Sequence, residues 1–382
     1  MKKTQKKAEG FPLWLHPRGQ WCKKHRGTFY YFGADKEEAI KRYGREWDDI
    51  RAGRRPKPDP TNPALYTTLA DVVNHFLTAK RKRVESGELT FRQWSEYMTV
   101  GEKIVAILGR NRNAADLQPD EFGKVREEAA DRLGPVALGN YIQKVRSIFK
   151  WAFEAKLLDV PTRFGPDFAK PPRRAVRLQR AENGSRMIQA KEIRKLLKAA
   201  GSPLDAMLLL GLNAGFGQGD CAELPKSALA RRGWIDFRRP KTGNPRRCPL
   251  WRETQKALDR AIRNRPAPTN PEDEGLVFIT RWGRPYVRFT QPDDGKPGCR
   301  IDGIIQEFKK LADRGRVKVK GFYSLRHVHR TVSDEVLDPV ACGVIMGHVD
   351  ETVAGGYREF VTDDRLRRVV DHVHDWLYGK AK

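Results

Sequence analysis

The sequence predicts a multidomain, mainly α-helical protein: a small N-terminal β-strand/helix module, a helical bundle, and a C-terminal domain of mixed α+β character. Three observations carry this. The chain has 382 residues, enough for two or three domains at about 150 residues each. Short aromatic runs punctuated by turns give way to apolar residues at helical spacing, and then to a mixture of both patterns. Two stretches rich in proline and basic residues, 54–63 and 170–186, interrupt the apolar patterning. The expected division is therefore 1–62, 63–163, a basic linker over 164–187, and 188–382.

In the first segment, FPLWLHPRGQWCKKHRGTFYYFG (residues 11–33) reads as two or three small strands separated by Pro-Arg-Gly and Arg-Gly turns. A helix follows. Asp35 and Glu38 have capping-box spacing, and Ala39, Tyr43, Trp47 and Ile50 recur on one face before Ala52-Gly53 ends it. Lys23, Lys24 and Arg26 share the hairpin with Trp21 and Tyr30. That mixture suits contact with phosphates, and equally suits a small aromatic core with a solvated basic rim. In the second segment Thr68 and Asp71 cap a helix whose face is Leu69, Val72, Val73, Phe76 and Leu77. A further helix over 138–155 carries Ile142, Val145, Ile148, Phe149, Ala152 and Phe153. The linker holds Arg173, Arg174, Arg177 and Arg180 and few groups to bury, so an extended conformation crossing a polyanion is expected. Beyond it the expected elements are helices at 190–200 and 203–213, a strand pair near 233–237 and 246–250, a helix at 252–264, a strand at 276–280, a helix at 301–313, and several helices after Ser324. The last, Asp363 to Tyr378, aligns Leu366, Val369, Val370, Val373 and Leu377 in one stripe, for packing on its own domain or on a neighbouring protomer.

Charge narrows the partner. Lys and Arg number 74 against 48 Asp and Glu, a net charge of +26. An excess of this size points to a polyanion, nucleic acid first. No run approaches the roughly 18 apolar residues of a membrane span, since the longest greasy stretch, 204–217, is broken by Asp205 and Asn213. The basic MKKTQKKAEG start is followed by no apolar signal core. Five widely spaced cysteines without a CxxC pair argue against a disulfide framework or zinc finger, and fit a reducing cytoplasm.

Four features of the last domain bear on chemistry: Lys241-Thr242-Gly243 at a hairpin turn, Ser324-Leu325-Arg326-His327 at a helix start, Gly347-His348 after Val344-Ile345-Met346, and Tyr357 nine residues beyond His348. Singly, each has an ordinary structural explanation, such as an ion pair for Arg326 or a half-buried aromatic for Tyr357. In this order they resemble the tyrosine recombinases of the phage integrase type. The motifs are GFYSLRHVHRT, IMGHVDETVAGGYREF and, less specifically, KTGNPRRCPL. With NYIQKVRSIFKWAFEAKLLDVP (residues 140–161) the resemblance reaches a core-binding domain, and so covers about 320 of the 382 residues. The N-terminal piece is similar in character to an arm-type DNA-binding module.

The resemblance implies double-stranded DNA as substrate and a tyrosine nucleophile. Tyr357 would attack phosphorus to form a 3′-phosphotyrosyl bond and release a 5′-hydroxyl, conserving bond energy so that neither metal nor ATP nor any other cofactor is required. Arg326 would hold the nonbridging oxygens, His348 would add a hydrogen bond there, and Lys241 would protonate the leaving 5′-oxygen. Four such subunits would assemble on two duplexes, clamping DNA between the two larger domains, with room for an accessory DNA-bending protein. The chain departs from the family at two places. An arginine expected in a TGxR-like turn is replaced by Gln218, matching forward from Leu212, or by Asp220 with a different gap. Glutamine supplies no charge, and losing a charged donor at such a site slows reaction roughly a hundredfold or more. Tyr323 stands three residues before Arg326, where the family places histidine. Two outcomes are open, an active integrase or an impaired descendant that binds DNA without strand exchange. An architectural DNA binder would leave Tyr357 without a task, and a type IB topoisomerase would not need the N-terminal modules.

Overall fold

The computed structural model describes residues 11–53, 66–239, 243–290, 298–348 and 352–379. The N-terminal sheet has the order β1-β2-β3, all antiparallel, from strands Trp14–Leu15 (β1), Trp21–His25 (β2) and Thr28–Gly33 (β3). Arg26 (φ 47°) and Gly27 (φ 85°) make the two-residue turn between β2 and β3, as the twist of a tight hairpin demands. Helix α1, Lys36–Arg51, begins at Asp35, whose Oδ1 accepts the Glu38 N–H at 2.8 Å. Leu13, Phe32, Ala39 and Ile50 form this module's core with Trp21, Tyr43 and Trp47 packed on it.

Helices α2 (Leu69–Glu85), α3 (Phe91–Leu108), α4 (Pro119–Ala130) and α5 (Pro135–Glu154) follow. The expected cap of α2 is present in full: the Thr68 N–H donates to Asp71 Oδ2 at 3.0 Å, and the Asp71 N–H to Thr68 Oγ1 at 3.1 Å. Leu69, Val72, Val73 and Phe76 of α2 pack with Ile142, Val145, Ile148, Phe149 and Ala152 of α5 in one core, as their spacing predicts. Phe153 of the expected stripe remains exposed.

The chain forms two compact units, Met1–Glu88 with Tyr97–Pro171, and Leu89–Glu96 with Pro172–Lys382. Within the second unit the expected extended linker is instead helix α6, Arg173–Glu182. Arg, Ala, Leu, Gln and Glu all favour helix, the two prolines stand before its first turn, and Asn183-Gly184 ends it, so charge did not prevent helix formation. No α6 residue is buried. Next come α7 (Ala190–Ala199), α8 (Leu204–Asn213), the short α9 (Gln218–Ala222), the antiparallel pair β4 (Trp234–Arg238) and β5 (Pro245–Pro249), and α10 (Arg252–Arg263). The expected strand at 276–280 reduces to isolated bridges, Pro225 with Leu276 and Ile279 with Pro285. Strands β6 (Val287–Phe289) and β7 (Arg300–Asp302) form a hairpin, followed by α11 (Gly303–Gly315), α12 (Ser324–Ser333), α13 (Pro339–Met346), α14 (Val353–Gly356) and α15 (Asp363–Tyr378).

Every residue of α8 is buried, so this helix is the axis of the unit. Its last residue, Asn213, is fully buried, donates to the Pro249 carbonyl and accepts the Trp251 N–H, both at 2.9 Å. The Trp251 indole donates to the Val370 carbonyl at 2.9 Å. These bonds tie the end of α8 to β5, and the start of α10 to α15. The α15 stripe Leu366, Val369, Val370, Val373 and Leu377 is buried in this unit's own core, the first of the two expectations for it. Among the described residues no helix is long and apolar enough to cross a membrane.

Candidate active site

The site is built where the end of α8, the β4–β5 pair, α12 and the end of α13 converge. Gly211 allows the approach of α12 to α8, because a Cβ there would stand 3.0 Å from Leu325 Cβ and Cδ1. Arg326, in the first turn of α12, is 4% exposed. Its Nη1 donates to the Gly215 carbonyl, and its Nη2 to the Met346 carbonyl at 3.1 Å. Gly347 ends α13 in the left-handed conformation (φ 63°), and the His348 N–H returns to the Gly343 carbonyl at 2.9 Å. This turn delivers His348 Nε2 to 2.7 Å from Arg326 Nη2. Guanidinium can only donate, so Nε2 accepts and the imidazole proton is on Nδ1. His348 remains partly exposed; its partial desolvation, then Arg326 and Arg239, push its pKa down to about 4, so the ring is neutral near pH 7.

Arg326 is one of three guanidiniums around a single carboxylate. Asp220, 7% exposed, accepts the Gly217 N–H at 2.9 Å through Oδ2. Its Oδ1 lies 3.1 Å from Arg239 Nε and 3.4 Å from Arg246 Nη2, while its Oδ2 is 3.9 Å from Arg326 Nη1. Burial raises the Asp220 pKa, but Arg246, the Gly217 N–H, Arg239 and Arg326 together outweigh it and hold the carboxyl below its ordinary range. Arg246 is fully buried, stacked 4.2 Å from the Phe216 ring centroid, and donates to the same Met346 carbonyl as Arg326, at 3.0 Å. Burial presses its pKa down to about 10. Three positive charges against one negative leave the cluster net positive, a place built to receive an anion.

The structure thus brings Arg326 and His348 together as their motifs imply. Tyr323 caps α12 with its ring 3.2 Å from the position of a Cβ on Gly217, 40% exposed at the cluster's edge. Gln218 opens α9 half-buried, beside the cluster, and its side chain makes no hydrogen bond among the described residues. Tyr357 follows α14 and is 80% exposed; among the described residues no hydrogen bond or ring contact joins it to Arg326 or His348. Lys241 lies outside the described residues. Lys23 donates to the Tyr43 hydroxyl at 2.5 Å and covers the Tyr43 and Trp47 rings at 4.6 and 4.5 Å, while Lys24 lies 5.2 Å over Phe29. Arg26 is at the exposed turn. Arg173, Arg174, Arg177 and Arg180 are all exposed on α6. Spaced at 100° per residue, they occupy one face of roughly 120°.

Sequence reasoning missed Arg239 and Arg246, and treated Asp220 only as a possible replacement for arginine. Strand alternation offered a signal for Arg246, which shares the inward face of β5 with Cys248. Arg239, one of several arginines on a hairpin, offered none.

No protein-family model and no curated protein matches the sequence. Solved structures do match. A lambda integrase tetramer bound to a Holliday junction superposes with a TM-score of 0.54 at 18% identity, covering 94% of this chain and 97% of that one. A lambda integrase dimer bound to a COC′ core site gives 0.54 at 16% identity, covering 94% and 99%. The Tn1549 transposon integrase in complex with a circular intermediate DNA gives 0.52 at 14% identity, covering 80% and 99%. The chain therefore has the multidomain, mainly α fold of the tyrosine-recombinase integrases.

Proposed function

We propose that the chain is a tyrosine-type site-specific DNA recombinase, an integrase of a mobile element. The observation that carries this is the Arg326–His348 pair, 2.7 Å apart within a net-positive cluster, in a fold shared along 94% of the chain with lambda integrase. Tyr357, nine residues beyond His348 and 80% exposed, is the nucleophile. Its hydroxyl gives its proton to solvent as the oxygen bonds to phosphorus and the bond from phosphorus to the 5′-oxygen breaks; the leaving oxygen takes a proton from Lys241, which solvent restores. Arg326 and the Nδ1–H of His348 stabilise the charge that develops on the nonbridging oxygens. The 5′-hydroxyl of a partner strand reverses the step. Residues 1–62 act as an arm-like module through Lys23, Lys24 and Arg26; 63–163 bind the core site; the basic face of α6 crosses the backbone; and 188–382 carry the chemistry. Four copies acting on two duplexes in the cell's nucleoid complete the reading.

The test needs no knowledge of the target. Purified protein is incubated, without Mg²⁺ or ATP, with a pool of nicked suicide duplexes cut from the genomic DNA flanking its gene. Denaturing gels then report covalent protein–DNA products. Wild type should attach, and Tyr357→Phe should not, while both retain the same DNA with the same salt dependence. Equal attachment by the variant would remove Tyr357 as nucleophile. Retention without attachment by the wild type would assign the chain to DNA binding without strand exchange, the outcome that uncharged Gln218 favours.

A further inference from the structure

We propose that Arg239, reaching in from the end of β4, supplies to the scissile phosphate the guanidinium that the chain lacks at Gln218. This rests on the recombinase reading of the same site. Of the three guanidiniums on Asp220, Arg246 is committed to the interior: it is fully buried, sandwiched against Phe216 and bonded to the Met346 carbonyl. Arg326 is held by the Gly215 and Met346 carbonyls and by His348. Arg239 is different. Among the described residues only the Nε of its guanidinium is engaged, with Asp220 Oδ1 at 3.1 Å, and no hydrogen bond takes either Nη. Its side chain is 15% exposed. Its Cδ lies 3.2 Å from where a Cβ of Gly347 would stand, so it is packed against the turn that delivers His348.

The chemistry fits that placement. A guanidinium anchored through Nε presents its two Nη groups as a fork, the geometry that receives two oxygens of a phosphate. Asp220 is the positioning residue, fixing Arg239 by the same carboxylate that receives Arg246 and faces Arg326. The burial of a carboxylate beside a phosphate site, which alone would repel substrate, is explained by this. One of three positive charges is neutralised, and two remain for the phosphorane, one on Arg326 and one on Arg239. The guanidinium enters from the hairpin rather than from the α9 turn, so the motif shows glutamine while the charge is retained.

Two readouts on Arg239→Ala test this against Tyr357→Phe and wild type: the rate of covalent attachment to nicked suicide duplexes, and the slope of log affinity against log salt on the same DNA. Attachment should slow by about a hundredfold or more, and the slope should fall by about one, the signature of a lost phosphate contact. Slower attachment with an unchanged slope would make Arg239 act only through Asp220, and a lower slope with an unchanged rate would make it a binding contact only; either overturns the assignment, as does no change in both. Wild type that never attaches, with a slope still lowered by Arg239→Ala, would remove the recombinase reading and leave Arg239 as a phosphate contact. If Arg239→Ala does not fold, Arg239→Lys keeps the charge beside Asp220 but loses the fork. It should attach at least about tenfold more slowly, and an equal rate overturns the proposal. Gln218→Arg in the otherwise wild-type chain should gain less than about threefold, because the charge is already supplied; a gain of about tenfold or more would show it missing.

Discussion

His329 lies within the GFYSLRHVHRT motif, three residues beyond Arg326 on α12. It is fully buried beneath Gly215, with Nδ1 2.7 Å from the Leu212 carbonyl. A carbonyl only accepts, so Nδ1 carries the proton and Nε2 is a bare lone pair, buried and without a partner among the described residues. Protonation would place an unpaired N–H and a positive charge beside Arg326 and Arg246. Burial is the larger cause, and with those charges it pushes the pKa down to about 4, although the Leu212 bond opposes it. The folded-state pKa is depressed below the unfolded value near 6.5, so the unfolded chain takes up the proton first as pH falls. Stability is then full above about 6.5 and is lost as pH drops from there toward 4, beyond which the folded state protonates too. Between pH 7 and 5 the unfolding free energy of the C-terminal unit should fall by about 2 kcal/mol from this residue. Denaturant midpoints at the two pH values measure it. His329→Asn, which keeps a donor for Leu212 but cannot charge, should remove this share of the dependence and leave that of His348; an unchanged slope would place its origin elsewhere. His348, depressed in the same sense, is neutral across this range, so covalent attachment should show no histidine inflection near pH 6.5.

At the scale of the element, α13 shows how one helix end organises the cluster. Gly343 and Gly347 are four residues apart and have opposite requirements. Gly343 is within the helix, where a Cβ would meet nothing within 4 Å. Gly347 is left-handed at φ 63°, and a Cβ there would stand 3.2 Å from both Arg239 Cδ and Arg246 Nε. Gly343→Ala should therefore stabilise the fold by about 0.5–1 kcal/mol. Gly347→Ala should destabilise it by about 1–2 kcal/mol and slow attachment, since both guanidiniums must move. Thermal midpoints of the two variants check the sign of each change. The same contrast marks what the sequence could reveal. Elements with a clear apolar period or cap were legible: α1 behind Asp35, α2 behind Thr68, α5, α8 and the stripe of α15. The Arg326–His348 pair was legible only through the order of its motifs, which resembles that of the tyrosine recombinases, since each residue singly has an ordinary structural explanation. The α6 helix was not, since charge and two prolines outweighed propensity in the reading but not in the fold. The 276–280 strand found no ladder partner beyond single bridges. Nor could Arg239, Arg246 and Asp220 be seen to meet, because their joining depends on β4, β5 and α9 converging, a tertiary fact with no local pattern.

Across the whole molecule the governing quantity is charge, and its placement matters more than its sum. The +26 is the excess after every acid is counted, and of the 74 cations some are already engaged on the surface: Arg83 with Glu88 at 3.0 Å, Arg92 with Glu96 at 3.1 Å, Arg132 with Glu128 at 2.6 Å and Lys150 with Glu154 at 3.7 Å. Such exposed pairs contribute little to stability, and their cations present little net field to a distant phosphate. The four arginines of α6 have no such partner among the described residues and share one face. Each phosphate that a cation neutralises releases condensed counterions and adds about 0.9 to the slope of log affinity against log salt. Replacing Arg173, Arg174, Arg177 and Arg180 with alanine should therefore lower that slope by about two to four on duplex DNA, and weaken binding several hundredfold or more at low salt. Replacing Arg83, Arg92, Arg132 and Lys150 removes the same number of charges, yet should lower the slope by less than about one. Equal losses from the two sets would mean that only the overall field attracts DNA. A large loss confined to the first set would make α6 a backbone contact, and would explain why a helix with nothing to bury is worth forming.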